Sequence, residues 1–104
     1  MPMVGSDDPS FHLYGETITA VDGVVRNAAG SLAGSALDMA SAVRNAVHLL
    51  VLPLDEACRM AAQYPAEFLG LGHRHGRIAT GYRADLVVLD ANLHVQRSWI
   101  GGTE

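Results

Sequence analysis

The chain has 104 residues, 49% of them apolar and 17% charged, so it is long enough for one small domain with a core and too apolar for a disordered tail. Its net charge is −4 and its seven basic residues, all arginines, are scattered, which argues against a nucleic-acid partner. No apolar run approaches the roughly 20 residues that cross a bilayer, the start resembles no secretory signal, and Cys58 alone excludes an internal disulfide, so we expect a cytoplasmic protein without a membrane partner.

The first third of the chain predicts a loop, a hairpin and a tight turn. Residues 1–10 are rich in Pro, Gly, Asp and Ser and predict a loop, in which adjacent Asp7 and Asp8 are expected to be solvated. Apolar and polar residues are interleaved over 11–26, and Asp22-Gly23 is a strong hairpin signal. The small residues at 27–34 suit a tight loop.

In the middle third of the chain the apolar residues have the spacing of helices. Ser35 predicts the N-cap of a helix over about 36–50, whose apolar residues recur every three or four positions. Pro53 ends this helix and opens a second one, which must stop before Pro65. A last helical turn then closes on Gly70, a natural residue just beyond a helix end.

The C-terminal third has the spacing of strands. Three segments, 77–79, 84–89 and 95–100, are separated by turn-like residues. Within them Leu86–Leu89 is a continuous apolar run, which is typical of a strand covered on both faces.

Few side chains suggest chemistry. His73 and His75 could face one side of a strand and share a metal, but a site needs more ligands and none lies nearby in the sequence, so we expect no metal site in this chain. Cys58 lies on the apolar face of the second predicted helix and is expected to be a small buried hydrophobe.

The stretch 31–35 has two interpretations on its residues alone. It fits a structural turn, or a loop in which small residues let a ligand approach the backbone beside a helix N-terminus. No lysine follows it, so it is not a Walker phosphate loop. Without any analogy a structural turn is the favoured interpretation, and the sequence predicts an α+β chain in which this stretch is the one candidate for a ligand-facing loop.

The run Gly76-Arg77-Ile78-Ala79-Thr80-Gly81-Tyr82-Arg83-Ala84-Asp85-Leu86-Val87-Val88-Leu89-Asp90 resembles a motif near the C-terminus of the amidohydrolase superfamily. The motif is shared widely and names no substrate. Further stretches resemble the N-acetylglucosamine-6-phosphate deacetylase family, namely residues 1–5, 31–39, 42–45, 54–57 and 60–61. Within them Leu32-Ala33-Gly34-Ser35 is fairly specific to that family.

This resemblance implies an α/β fold. Residues 1–70 would form the C-terminal end of a metal-dependent (β/α)8 TIM-like barrel, contributing a hairpin and helices. Residues 71–104 would form the closing strands of a small β-sandwich domain. Such a chain is expected to be incomplete on its own.

The resemblance also implies an activity, which is the metal-dependent hydrolysis of N-acetylglucosamine 6-phosphate to glucosamine 6-phosphate and acetate. The family binds a divalent metal of the zinc or iron type, and the residues that bind it lie upstream of this chain. Its catalytic aspartate would align two residues before Met1. We therefore assign no catalytic or metal-binding residue to this chain and expect it to be inactive alone. The family's substrate contacts match Leu32, Ala33 and Gly34, and the full-length enzyme is expected to be a homodimer that binds a sugar phosphate.

Two alternatives stay open at this point. The chain could belong to another amidohydrolase, similar to dihydroorotase or allantoinase, which would keep the glycine-rich strand motif without the stretch 32–39. It could instead be a small non-catalytic domain that acts through protein contacts.

Overall fold

The computed structural model describes residues 7–13, 15–21 and 24–104. The chain divides into a first unit, Met1–Asp38, and a second unit, Met39–Glu104. The first unit contains strands and the second contains helices followed by a strand hairpin, so the predicted mixture of α and β structure is confirmed. In the described part of the chain, no helix has the length and apolar character needed to cross a membrane.

The first unit is an antiparallel sheet of four strands in chain order: β1 Ser10–Leu13, β2 Glu16–Val21, β3 Val24–Arg26 and β4 Leu32–Ser35. The predicted hairpin is present as the β2–β3 pair, with Val21 opposite Val24. Its turn, Asp22-Gly23, lies outside the described residues, as do residues 1–6 of the predicted N-terminal loop. A second hairpin, β1–β2, was not predicted from the sequence.

The core of the first unit consists of Ile18 and Val25, which are 3% and 0% exposed. Phe11 lies opposite Ile18 across β1 and β2, and Ala20 lies opposite Val25 across β2 and β3. Because cross-strand neighbours on one face pack against each other, these pairs cover the two buried side chains. This core therefore fixes β3 between β2 and β4.

The first helix of the second unit is shorter than predicted. Helix α1 spans Met39–His48 rather than 36–50, and Ser35 is the last residue of β4. The Ser35 Oγ accepts a hydrogen bond from the Leu37 N–H at 3.0 Å, so this hydroxyl caps a turn before the helix instead of the helix itself. The predicted N-cap at Ser35 is therefore wrong.

The second helical segment continues through Pro65, where the sequence predicted an end. It consists of α2 Leu54–Cys58, a π-helical segment Arg59–Gln63, and α3 Tyr64–Phe68. Proline has no N–H to donate and its ring clashes with the carbonyl four residues earlier. The wider π turn just before Pro65 accommodates the ring, so the chain stays helical.

The end of α3 lies where the sequence predicts it. Gly70 has φ +76° and donates its N–H to the Glu67 carbonyl, while the Leu71 N–H reaches the Ala66 carbonyl at 2.7 Å. These two bonds are a Schellman cap, which requires a left-handed residue and favours glycine. The predicted helix end at Gly70 is confirmed.

The C-terminal strands are β5 Leu86–Leu89 and β6 Val95–Trp99, which pair with each other alone among the described strands. Two expectations are wrong here. Residues 77–79 form no strand, and Ile78 is 90% exposed. The run Leu86–Leu89 is not covered on both faces, since Val87 is 58% exposed.

A side chain of α1 holds the turn between β5 and β6. The Arg44 Nη1 donates to the Leu93 carbonyl at 3.0 Å, and its Nη2 donates to the Ser41 Oγ at 2.7 Å. Leu93 has φ +62°, a conformation that costs a non-glycine residue free energy. The bond from Arg44 offsets part of that cost and joins the helix to the hairpin.

We predict that the chain self-associates through the open edge of β5. An apolar two-stranded hairpin offers unpaired backbone groups and exposed valines to a second copy. Sedimentation velocity over a concentration series should give a mass that rises above the 11.0 kDa of one chain. Val87→Lys should weaken association by about tenfold, because a charge blunts the edge.

Leu69→Lys is the matched control, because Leu69 is equally apolar, is 68% exposed and lies outside the strands. This variant should associate like the parent chain. A parent chain that is monomeric at every concentration would contradict the prediction.

Candidate functional site

The connection between β3 and β4 is organised by Asn27. Its Oδ1 accepts hydrogen bonds from the N–H groups of Ala29 and Ser31, at 3.1 and 2.9 Å. Its backbone N–H donates to the Ser31 carbonyl, and its carbonyl accepts the Gly30 N–H, both at 3.0 Å. A side chain that bonds nearby backbone amides in this way is what makes asparagine a common turn residue.

A β-bulge follows this turn. Leu32 lies opposite Arg26 and Gly34 lies opposite Val25, so Ala33 is one extra residue on β4 without a partner on β3. Gly34 has φ +143°, which side-chain-bearing residues rarely adopt. Bulges of this kind redirect the chain and are over-represented beside active sites.

The structure thus places the three predicted substrate contacts, Leu32, Ala33 and Gly34, together on a bulged strand rather than in the predicted tight loop. The residues of this stretch do not predict a strand, because alanine, glycine and serine have low β-propensity. Pairing with β3 decides the conformation instead. Apart from the glycine, no residue pattern in the sequence predicts the bulge.

The bulge is accessible from outside. Leu32 is 70% exposed, and Ala33 is exposed as well. β4 ends the order of strands in its sheet, so no described strand pairs with its outer side. Behind it lies the fully buried Val25, opposite Gly34. A ligand can therefore reach the bulge backbone, which is anchored to a packed core.

Arg26 holds the turn from the side of β3. Its Nη1 donates to the Gly30 carbonyl at 2.9 Å, across the same turn that Asn27 organises. The turn is thus closed by two side chains that are adjacent in sequence. The sequence alone indicated no role for Arg26 or Asn27.

The two histidines do not form a metal site in the described structure. His73 is exposed and lies in a turn, not on a strand. His75 places its Nδ1 3.8 Å from the Asp85 Oδ2. Among residues 7–13, 15–21 and 24–104, no three His, Cys, Asp or Glu side chains come together, so these residues do not fit a metal centre.

Asp85, in the motif at 76–90, forms hydrogen bonds that hold neighbouring segments together. Its Oδ1 accepts the Gly101 N–H at 2.8 Å, and Arg83 donates its Nε at 2.9 Å. These two donors, with Gly101 the stronger influence, hold the pKa of the Asp85 carboxyl below its ordinary value because both favour the charged form. The carboxylate joins the start of β5 to the turn after β6.

Cys58 is exposed, and the expectation that it is buried is wrong. Its neighbour Ala57 takes the inward position of the helix and is 2% exposed. Cys58 instead borders a groove of about 730 Å³ within the second unit, which runs between α1, the π-helical segment and β5. Most of the groove wall is apolar, including Met39, Val43, Ala62, Leu86, Leu89 and Val95.

Comparison with known proteins gives a consistent result. The model of the amidohydrolase family matches residues 3–104. A putative N-acetylgalactosamine-6-phosphate deacetylase of Escherichia coli K12 is 44% identical over 98% of this chain. The human N-acetylglucosamine-6-phosphate deacetylase is 37% identical over 88% of it.

Solved structures agree. The N-acetylglucosamine-6-phosphate deacetylase of Pasteurella multocida superposes on 95% of this chain with a TM-score of 0.84 and 35% identity. A Mycobacterium smegmatis deacetylase variant in complex with N-acetyl-D-glucosamine-6-phosphate superposes on 99% with a TM-score of 0.77 and 38% identity. The chain spans 61% of the E. coli K12 relative, 23% of the human one, and 26% and 28% of the two structures.

Proposed function

Because the chain belongs to the amidohydrolase family, we propose that it supplies the substrate-contacting bulge of an enzyme that deacetylates an N-acetylhexosamine 6-phosphate. The observation that carries this proposal is the 44% identity to a putative amino-sugar-6-phosphate deacetylase over 98% of the chain. Similarity of this extent includes the bulge as well as the superfamily motif.

The proposed reaction is hydrolysis of an amide. Water adds its oxygen to the acetyl carbon, the bond from that carbon to the sugar nitrogen breaks, and the nitrogen takes a proton. The products are acetate and the free amino sugar phosphate. The described residues do not fit a metal centre, so we derive no step of this reaction from a metal ion in this chain.

The role proposed for this chain is to bind and orient the sugar. The outer side of β4, with which no described strand pairs, offers backbone N–H and C=O groups to polar groups of the ligand. Gly34 has no side chain to block that approach. Since the bulge is anchored opposite buried Val25, it holds the ligand without a large ordering cost.

The sugar is either the gluco or the galacto epimer, which differ at one hydroxyl group. The sequence resemblance implies N-acetylglucosamine 6-phosphate, the substrate named for the solved structures. N-acetylgalactosamine 6-phosphate is a second candidate, because two relatives named for that sugar are 44% identical, whereas the relatives and solved structures named for the gluco sugar are 31–38% identical.

The place of this chain in a larger fold is also a proposal. We assign residues 1–70 to the end of a (β/α)8 barrel and residues 71–104 to the closing strands of a small β-domain, as the resemblance implies. In a barrel, loops after the strand ends build the active site, which suits a ligand-contacting bulge at 32–34. The cytoplasmic location and the homodimer expected for the longer enzyme stay predictions.

The proposal predicts that this chain can replace its counterpart in a working relative. We would exchange it for the matching segment of the E. coli O157:H7 N-acetylgalactosamine-6-phosphate deacetylase, of which it covers 27%. The chimera should release acetate from an N-acetylhexosamine 6-phosphate with kcat/KM within about tenfold of the host, a difference of about 1.4 kcal/mol. Comparing both epimers identifies the preferred sugar.

Two controls accompany the chimera. The host lacking the exchanged segment and this chain alone should both give no turnover, since neither contains the whole site. A chimera that has the melting temperature of a folded enzyme but hydrolyses neither epimer would contradict the proposed function.

Within the chimera, Gly34→Val should lower kcat/KM by at least about tenfold, because valine is strained at φ +143° and its side chain meets the ligand. Replacing His73 and His75 together by alanine should change kcat/KM less than about twofold, since the proposal assigns no ligand contact to either residue.

Gly81→Val is the matched control for backbone strain. Gly81 has φ +85°, nothing lies within 4 Å of an added Cβ, and it is outside the bulge. This variant should lose stability while keeping KM. A larger loss of kcat/KM in the double histidine variant than in Gly34→Val would overturn the assignment of the bulge.

A further inference from the structure

We propose that Asn27 is a positioning residue that sets the substrate-binding geometry of the bulge without touching the substrate. This inference rests on the proposed function, because it concerns the same site. It is carried by the hydrogen bonds between Asn27 and the residues that lead into β4.

The Asn27 side chain is committed to the turn. Its Oδ1 receives both the Ala29 N–H and the Ser31 N–H, at 3.1 and 2.9 Å. Its backbone closes the same turn through the Ser31 carbonyl and the Gly30 N–H. Ser31 directly precedes Leu32, so these bonds fix the point at which the first bulge residue begins.

The position of that point determines the register of β4. Leu32 lies opposite Arg26, the neighbour of Asn27, and the extra residue is then Ala33. A slip of one residue in a strand moves every side chain to the other face of the sheet. If the turn were to lengthen by one residue, the extra position would move and the bulge would present different backbone groups.

The bond from Arg26 to the Gly30 carbonyl does not replace this function. This bond joins the Arg26 side chain to the Gly30 carbonyl at 2.9 Å and involves neither Ser31 nor a residue of the bulge. Of Arg26 and Asn27, Asn27 is the one whose described hydrogen bonds reach Ser31. Its backbone N–H donates to the Ser31 carbonyl, and its Oδ1 accepts the Ser31 N–H. The φ of Asn27 is not in the left-handed region, so its replacement causes no backbone strain.

The test uses the active chimera with three variants. Asn27→Ala removes both side-chain acceptor bonds, and KM for the preferred sugar phosphate should rise about tenfold while kcat stays within about twofold, because a ground-state contact has been displaced. Asn27→Ser returns a smaller hydroxyl acceptor, and its KM should lie between those of Asn27→Ala and the parent chimera.

Asn92→Ala is the matched control, because Asn92 lies in the β5–β6 turn, where Asp90 accepts the backbone amides. Its KM should equal that of the parent. Hydrogen exchange at the Ala29 and Ser31 amides should accelerate in Asn27→Ala and not in Asn92→Ala, which shows that the turn has loosened.

The outcomes separate the two proposals. A parent chimera without turnover would overturn the proposed function and this inference with it. An active parent whose Asn27→Ala variant keeps its KM would overturn the inference alone. A variant that loses kcat and melting temperature together, with unchanged KM and no rescue by Asn27→Ser, would also overturn it, because that pattern indicates a purely structural residue.

Discussion

The pairing of Gly34 with Val25 is the contact on which the candidate site depends. Val25 is fully buried in the small core of the first unit, so its position on β3 cannot shift without exposing apolar surface. With Gly34 fixed opposite Val25 and Leu32 fixed opposite Arg26, Ala33 is left as the extra residue of the bulge. The core therefore determines the shape of the surface that we assign to the substrate.

The second unit shows a different balance of interactions. Its described residues bury only small side chains, Ala57 and Ala66, while large apolar side chains of α1 and β5 line an open groove. Polar contacts such as Arg44 to Leu93 and Asp85 to Gly101 hold its loops in place. In the described structure this unit therefore leaves much of its apolar surface exposed.

The sequence predicts the local features well and the long-range ones poorly. The end of α3 at Gly70 was predicted because a Schellman cap depends on neighbouring residues. The strand character of 32–35 was not, because it depends on pairing with β3 and these small residues have no intrinsic preference for a strand. The π turn before Pro65 was missed because proline usually ends a helix. The family and the three bulge residues came from resemblance, not from periodicity.

The central claim is that the bulge at 32–34 contacts the sugar phosphate, and a crystal structure of the chimera with its preferred N-acetylhexosamine 6-phosphate tests it most directly. We predict at least one backbone N or O atom of Leu32, Ala33 or Gly34 within hydrogen-bonding distance, about 3 Å, of a polar atom of the ligand. A well-ordered sugar phosphate that contacts none of these three residues would contradict the account.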